Sequence, residues 1–217
     1  SVCASPRPAC SCRRARWGIV RGMSARTRLR HLALAAALLT VTAADTACAP
    51  YAIVQRSGPP SALQGVAQVA VRFDWSQVSV LGKSEQEYLS EKNAEEQADF
   101  AKIKLETDAA ILQGLQDNGG GAQFSAAAAE LDAAAPQVVV KYGYVQTGIY
   151  TPVYSLPSKA TTRFEWSRDG KVTDVIETSA TVGASLTTPS DHQRMEMVGR
   201  NIGRAAGKFF TTAQAGK

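Results

Sequence analysis

The chain contains 217 residues and has a formal net charge of +5. The charge is unevenly placed, because residues 1–47 hold eight of the 24 basic side chains and only one of the 19 acidic ones. The remaining 170 residues therefore carry 16 basic and 18 acidic side chains, a net charge of −2. A folded domain that binds phosphates needs a net basic face, so nucleic acid is not expected as a partner. These 170 residues suffice for one domain with a full core, and their single cysteine excludes reliance on internal disulfides.

Residues 1–22 are rich in Arg, Cys, Ser, Ala and Pro and show no apolar periodicity. We interpret them as disordered, translated upstream sequence, with Met23 as the true start. The alternative is an authentic basic arm that binds nucleic acid. Cys10 and Cys12 form a CxC pair, but without a second Cys or His pair they give only a weak zinc pattern.

Residues 23–47 have the pattern of a secretory signal peptide. Three arginines precede an uncharged apolar run of ten residues, Leu32–Val41, and small, weakly polar residues follow it. Ten helical residues rise about 15 Å, half of the roughly 30 Å hydrocarbon core of a bilayer, so the run is not expected to remain as a spanning helix. The arginines are Arg26, Arg28 and Arg30.

The signal ends at a cysteine that is predicted to be lipidated. The residues 45–48, Asp-Thr-Ala-Cys, resemble the bacterial lipobox, although Asp45 stands where that pattern prefers Leu or another apolar residue. Cys48 is the only cysteine after the signal, and a lone exported thiol is a liability unless it is used. The alternative is ordinary cleavage after Ala43 or Ala44, which would release a soluble exported protein.

Residues 48–65 contain three prolines and two glycines and are predicted to form a lipidated tether. Fully extended, such a segment could span on the order of 55 Å and hold a domain clear of a membrane surface. The folded domain is then expected to cover residues 66–212, followed by a disordered tail at residues 213–217.

The first half of this domain is predicted to contain a strand and a long helix. Residues 66–73 alternate as a half-buried strand does, and a short second strand is expected at residues 78–81. Residues 84–116 form the expected helix, which begins with a capping box of Ser84 and Glu87. A second short helix is expected at residues 126–135. The buried face of the strand comprises Val69, Val71 and Phe73, and that of the long helix comprises Phe100, Ile103, Thr107, Ile111 and Leu115.

The second half is predicted to contain three strands, at residues 138–146, 159–167 and 172–180. Residues 147–158 are expected to be a loop between the first two strands, and the Asp-Gly pair at residues 169–170 predicts a tight hairpin turn between the last two. The predicted buried faces comprise Val138, Val140, Tyr142 and Tyr144 in the first strand, and Thr162, Phe164 and Trp166 in the second.

A closing helix is predicted to begin at Ser190, which is expected to form a capping box with Gln193. Its buried stripe comprises Met195, Val198, Ile202, Ala206 and Phe209, and glycines recur every four residues beside it, at Gly199, Gly203 and Gly207. Close packing within the fold is expected to explain them, and a contact with a partner helix is the alternative. A basic row comprises Arg200, Arg204 and Lys208; it is expected to be solvated, or else to bind an anionic partner.

No catalytic or metal-binding motif is found in residues 48–217, so neither an enzyme nor a bound cofactor is expected. His192 is the only histidine there, and the serine and aspartate that precede it at a helix start would point in different directions. Tyr150 and Tyr154, in the predicted loop, are the best candidates for contacting a sugar or peptide.

This layout resembles the small bacterial envelope lipoproteins of unknown function. The likeness rests on a strand that ends near residues 148–150, a strand pair that turns at residues 169–170, and residues 188–190 before a helix that carries Arg194 and Gly203. More distantly, the layout is similar to the TolB amino-terminal domain and to lipoprotein activators of penicillin-binding proteins. The resemblance implies a domain that acts by contact and not by catalysis, and it transfers no functional residue.

The expected fold is a single α/β (α+β) domain with a mixed or antiparallel sheet of about four to five strands, on which one long helix and a C-terminal helix pack. The expected function is that of a non-enzymatic envelope lipoprotein, anchored in the membrane by lipid and presenting its domain to an envelope protein or cell-wall polymer. The expected location is the periplasmic face of the outer membrane. The alternative function is a periplasmic module that binds a small molecule or glycan.

Overall fold

The computed structural model describes residues 50–58, 60–127, 134–151 and 153–216, and the predicted signal peptide and Cys48 lie outside this part. The described chain forms ten strands and three helices. The strands are β1 (Tyr51–Gln55), β2 (Gln68–Asp74), β3 (Ser79–Val80), β4 (Lys83–Ser84), β5 (Gln123–Ala126), β6 (Gln137–Gln146), β7 (Ile149–Tyr150), β8 (Ser155–Leu156), β9 (Ser158–Arg168) and β10 (Lys171–Val182). The helices are α1 (Glu85–Ser90), α2 (Ala94–Asn118) and α3 (Asp191–Gln214).

The main sheet is mixed and has the strand order β1-β10-β9-β6-β2-β5. The pairs β1–β10, β10–β9 and β9–β6 are antiparallel, whereas β2 pairs in parallel with both β6 and β5. β3 continues the line of β2 along β6. The predicted hairpin turn is confirmed, because Asp169 and Gly170 both have positive φ, as a type I′ turn requires.

Helices α2 and α3 pack together and cover one face of the sheet, which we call the helix face. The predicted stripes of both helices are buried in the core there, as are Phe164 and Trp166 of β9. The opposite face, which we call the open face, carries a network of ion pairs. Lys141 lies 2.7 Å from Glu165, and Arg163 contacts both Glu165, at 3.1 Å, and Glu177, at 3.2 Å. The predicted fold, a single α+β domain with a mixed sheet, is confirmed.

The predicted tether is wrong from Tyr51 onward. Residues 51–55 form β1, which pairs with β10 at the edge of the sheet. The next residues are fixed as well, because the buried carboxylate of Asp174 accepts hydrogen bonds from the backbone N–H of Ser57 at 3.0 Å and from its hydroxyl at 2.9 Å. The short apolar run at residues 51–55 precedes the paired prolines of this segment, so it can form a strand before they interrupt pairing.

The predicted long helix is divided into two. α1 ends at Ser90, and Asn93 starts α2 through a capping box with Glu96. Ser84 caps α1 by accepting a hydrogen bond from the N–H of Glu87 at 3.2 Å. The capping box of Asn93 and Glu96 starts a new helix and so interrupts the single helix predicted at residues 84–116.

Two predicted details of the strands change. A bulge at Gly143 shifts the register of β6, so Val145 is buried and Tyr144 is only partly buried, contrary to the predicted face. The predicted loop at residues 147–158 contains the small hairpin of β7 and β8.

Three predictions about helix ends are also revised. Ser190 is the N-cap of α3, but its side chain makes no capping hydrogen bond. α3 continues to Gln214, two residues into the predicted tail, and the amide of Gln214 donates to the carbonyl of Val66 at 2.6 Å. A short helix was predicted at residues 126–135. Residue 126 is instead the last residue of β5, and residues 128–133 lie outside the described part.

Candidate functional site

One end of the sheet is built from chain reversals that carry exposed apolar side chains. β6 ends at Gln146 and β9 begins at Ser158, so the hairpin of β7 and β8 lies between them at this end. β10 also ends there, because Val182 pairs with Ser158. We call this the hairpin end, and the opposite end, with the turn at residues 169–170, the turn end.

Large apolar side chains at the hairpin end are open to solvent. Val153, at the tip of the hairpin, is 97% exposed, and Leu186, in the loop after β10, is 86% exposed. Tyr154 and Ile149 are also exposed. Scattered exposed apolar residues are ordinary, but a group on two adjacent loops is typical of an interaction site.

The first strand begins near the hairpin end. Tyr51 pairs with Thr178 and Gln55 pairs with Val175, so the N-terminal end of β1 points toward the hairpin end. Tyr51 is held by an edge-to-face contact with Phe209 of α3, with ring centroids 5.5 Å apart. The chain therefore enters the folded domain from the side on which the exposed apolar residues lie.

A buried arginine ties the loops of the hairpin end together. Arg194 is 1% exposed, and its Nε donates to the hydroxyl of Ser158 at 3.0 Å. Its Nη1 donates to the carbonyl of Thr188 at 3.0 Å and to that of Pro189. The start of β9, the loop before α3 and the first turn of α3 are thereby joined by one side chain.

A histidine joins the first turn of α3 to α2. Nδ1 of His192 lies 2.5 Å from the carboxylate of Glu106, and Nε2 lies 2.9 Å from that of Asp99. Burial of the ring disfavours the charged imidazolium, but the hydrogen bonds to Glu106 and Asp99 outweigh it, so the pKa of His192 is raised above its ordinary value. The charged form therefore acts as a clamp between the two helices.

A second polar cluster lies between α2 and the sheet. The carboxylate of Asp108 accepts hydrogen bonds from the hydroxyl of Tyr142 at 2.6 Å and from the indole N–H of Trp75 at 3.2 Å, and the two rings stack with centroids 3.7 Å apart. Burial raises the pKa of Asp108 to about 6, against the opposing effect of these hydrogen bonds. Burial also raises the pKa of Tyr142 well above its ordinary value, so the hydroxyl stays a donor.

Two broad grooves adjoin this cluster. One, of about 770 Å³, is lined by four strands, at residues 50–52, 141–143, 161–163 and 177–179. The other, of about 710 Å³, is lined by Trp75, Glu85 and Lys104 among others, and Gln77 borders both grooves. Asp108 borders neither, so its carboxylate positions the two aromatic rings and does not face a ligand in either groove.

Neither Asp108 nor Trp75 carries a sequence pattern that marks it as functional, and Arg194 stands out only as part of the resemblance to envelope lipoproteins. Arg194 lies four residues before Val198, on the apolar stripe of α3, where a charged residue signals a buried polar contact. Asp108 follows Thr107 of the buried stripe of α2 and precedes Ile111 by one turn, so its position was a weaker signal of the same kind.

The predicted binding residues lie on two separate surfaces. Tyr150 and Tyr154 belong to the hairpin of β7 and β8, and neither borders the grooves described above. Arg200, Arg204 and Lys208 are exposed on α3, where Arg200 pairs with Glu196 at 2.8 Å. The glycines beside this row pack against α2, which confirms close packing within the fold as their role; for example, a Cβ on Gly199 would stand 2.7 Å from the carbonyl oxygen of Thr107.

Two further properties bear on location and chemistry. None of the helices in the described ranges has the length and apolar character needed to cross a bilayer. Within those same ranges, no three His, Cys, Asp or Glu side chains are grouped as metal ligands would be.

No protein-family model and no curated protein sequence matches this chain. Solved structures with a similar arrangement include a minor lipoprotein from Acinetobacter baumannii, which is 11% identical, with a TM-score of 0.37, over 67% of this chain and 93% of its own. They also include two crystal structures of the PelC dodecamer from Paraburkholderia phytofirmans. These are 14% and 16% identical, with TM-scores of 0.38 and 0.36, over 71% of this chain and 96% and 95% of theirs.

At this level of similarity the neighbours, one of which is a bacterial lipoprotein, do not assign the chain to a family or give it a function. The predicted likeness to the TolB amino-terminal domain and to activators of penicillin-binding proteins is not among these findings.

Proposed function

We propose that this protein is a lipoprotein of the bacterial cell envelope, anchored through acyl chains on Cys48. It acts without catalysis and presents its α+β domain to an envelope protein or a cell-wall polymer. Alanine at position 49, where an aspartate would favour retention in the inner membrane, supports the periplasmic face of the outer membrane as its location.

The observation that carries this proposal is the position of β1. The strand starts at Tyr51, three residues after Cys48, so the folded domain begins almost directly at the predicted anchor. Its N-terminal end points toward the hairpin end, which supports an anchor on that side of the domain. A lipidated cysteine at this position would hold the domain at the membrane in a defined orientation.

A role in contact, and not in catalysis, is supported by the hydrogen bonds of Asp108 and His192, whose pKa values are both raised. Asp108 is bonded to Tyr142 and Trp75, and His192 is bonded to Glu106 and Asp99. Each of these groups stabilises a packing contact between elements. A general acid or base needs a polar atom directed at a substrate position, and these arrangements direct theirs into the fold.

The proposal is tested by replacing the cysteine. Wild-type protein produced in a bacterium with the lipoprotein-processing enzymes should enter the detergent phase and carry acyl chains by mass spectrometry. Cys48→Ser should abolish both properties while leaving the circular dichroism spectrum unchanged. Partitioning that survives in Cys48→Ser would contradict lipid anchoring. A soluble wild-type protein that begins after Ala43 or Ala44 would support the alternative cleavage.

A second function, binding of a small molecule or glycan, is favoured by the groove of about 770 Å³ on the sheet. Its rim carries the paired charges of Lys141, Arg163 and Glu177, which suit a polar ligand better than an apolar one. Titration with soluble peptidoglycan fragments should then change the fluorescence of the wild-type protein, and the double substitution Lys141→Ala and Arg163→Ala should abolish the change. Arg200→Ala, on the far side of α3, is the matched control, and an unchanged response in the double variant would exclude this groove.

A further inference from the structure

We infer that the hairpin end rests on the lipid bilayer, with Val153, Tyr154 and Leu186 in the headgroup region beside the acyl chains of Cys48. This inference rests on the proposed lipid anchor and adds to it a second membrane contact, made by the folded domain itself. The occupant of the apolar surface is then a bilayer, and not a second copy of the chain or another protein.

The apolar residues are gathered where a membrane would meet the domain. Val153 lies at the tip of the β7–β8 hairpin, and Leu186 lies in the loop after β10. The two loops are held to each other through Arg194, which bonds both Ser158 at the base of the hairpin and the carbonyls that precede α3. The base of the hairpin and the end of the loop before α3 are therefore tied to the same buried side chain.

The length of the chain between the anchor and the sheet limits how far the domain can stand from the bilayer. From the level of Tyr51, which pairs with Thr178, β10 continues four residues to Val182. Four strand residues cover about 13 Å. The three residues from Tyr51 back to Cys48 can reach at most about 10 Å in the same direction. Along the strand axis Cys48 therefore reaches no farther than the level of Val182, so an upright domain that is anchored there has its hairpin end against the lipid.

The tip of the hairpin is suited to an interface. The carbonyl of Tyr154 accepts hydrogen bonds from the backbone N–H and the hydroxyl of Thr151, each at 2.8 Å, so these three polar groups near the tip are already paired. Paired backbone groups lower the cost of leaving water, and tyrosine combines an apolar ring with a polar hydroxyl as residues at membrane interfaces do.

Charge indicates which headgroups are favoured. A small groove of about 260 Å³ beside Ile149 is bordered by the carboxylates of Glu96, Asp99 and Asp191 and by one cation, Lys92. Glu96 pairs with Lys92 at 2.8 Å and Asp99 pairs with His192 at 2.9 Å, so the remaining negative charge of this lining is that of Asp191, which is expected to disfavour anionic lipid. We therefore expect the contact to be strongest on zwitterionic vesicles and to weaken when phosphatidylglycerol is added at low salt.

The test uses the processed protein, lipidated at Cys48, reconstituted in vesicles of phosphatidylcholine and phosphatidylethanolamine. Val153→Cys is labelled with an environment-sensitive fluorophore, and Val172→Cys, at an exposed position of the turn end, is the matched control. Under the proposed processing Cys48 is acylated, so the introduced thiol is the only free one. Nitroxide-bearing lipids should quench the label at position 153 at least about threefold more than that at position 172, because an interfacial residue lies about 5–10 Å into the headgroup and acyl boundary.

A further variant checks that the loops act together. Leu186→Glu should reduce the lipid quenching of the label at position 153, whereas Leu105→Glu, at a 71% exposed position of α2, should leave it unchanged. Both positions are solvent-exposed, so neither substitution is expected to disturb folding.

Three results would overturn the inference. Equal quenching at positions 153 and 172 in a preparation whose acyl chains are confirmed by mass spectrometry would leave the anchor intact and remove the second contact. A label at position 153 that is open to water on vesicles but shielded in native envelopes would assign the surface to a protein partner. Absence of acyl chains on Cys48 would refute the anchor itself, and with it this inference.

Discussion

Gly203 of α3 lies directly over the backbone carbonyl of Ile111 of α2, so close that a Cβ on the glycine would overlap with the oxygen. The contact is reciprocal, because a Cβ on Gly114 of α2 would stand 2.5 Å from the carbonyl oxygen of Arg200. The two helices thus approach through their backbones along a line of glycines. This explains why three glycines are accommodated in α3 despite the cost of about 1 kcal/mol that each carries in a helix.

Gly203→Ala is therefore expected to lower the free energy of unfolding by about 1–3 kcal/mol, because overpacking against the backbone of α2 outweighs the better helix propensity of alanine. Urea denaturation measures the effect. Gly183→Ala is the control, since a Cβ at position 183 meets nothing within 4 Å. A Gly203→Ala protein as stable as wild type would show that the helices are farther apart than described.

Arg194→Met is expected to be strongly destabilising, by about 2–4 kcal/mol, because it removes buried hydrogen bonds to Ser158 and to two carbonyls. For a domain of this size, that loss lowers the Tm by roughly 5–12 °C. Arg200→Met, on the exposed side of the same helix, should change stability by less than about 0.5 kcal/mol. Equal melting temperatures for the two variants would contradict a structural role for Arg194.

The pKa of about 6 for Asp108 predicts a definite dependence of stability on pH. The folded state binds the proton of Asp108 more tightly than the unfolded state does, so this group contributes most at low pH. Its contribution falls as the pH rises from about 4 to about 6, by about 3 kcal/mol in total, and is constant above that range.

Asp108→Asn removes the titrating group while retaining an oxygen that can accept from Tyr142. As the pH rises from 4 to 6, wild type should therefore lose stability relative to Asp108→Asn. This window is set by the ordinary and raised pKa values of Asp108. Urea denaturation at several pH values measures this shift, and a difference independent of pH would contradict the raised pKa.

His192 predicts a change in the same direction, at higher pH. Its pKa is raised in the folded state, so its stabilisation is fully present below the ordinary value of about 6.5 and is lost as the pH rises through the folded pKa. His192→Gln should lower the unfolding free energy by up to about 1 kcal/mol at pH 6 and by less at pH 9. A loss of the same size at both values would show that the charged form of His192 does not clamp α3 to α2.

Periodicity identified most of the secondary structure from sequence, because residues such as Val71, Ile103, Phe164 and Ile202 recur at the spacing of the faces that they bury. The β9–β10 hairpin and the β6–β9 pair were predicted with different success. The Asp-Gly pair at residues 169–170 specifies its turn locally, so the turn of the β9–β10 hairpin was predicted, whereas the bulge between Val172 and Asp174 was not. The bulge at Gly143 depends on pairing with β9, which no local pattern encodes.

The edge strand and the polar clusters were missed for a related reason. Residues 51–55 form a strand only because β10, more than 100 residues later, offers an unpaired edge. Asp108 likewise acquires its raised pKa from burial beneath other elements, and His192 acquires its own from Glu106 and Asp99 on α2. The sequence shows the prolines of residues 48–65 and contains no catalytic motif in residues 48–217. It does not show which side chains the fold brings together.

The position of β1 also has a mechanical consequence. A pull on the chain ahead of Tyr51 acts along the axis of the strand, so it loads the hydrogen bonds between β1 and β10 in shear and all at once. Peeling a strand from its end breaks such bonds one after another and needs less force. A domain tugged from this terminus would therefore resist tension better than one attached through a strand that can be unzipped.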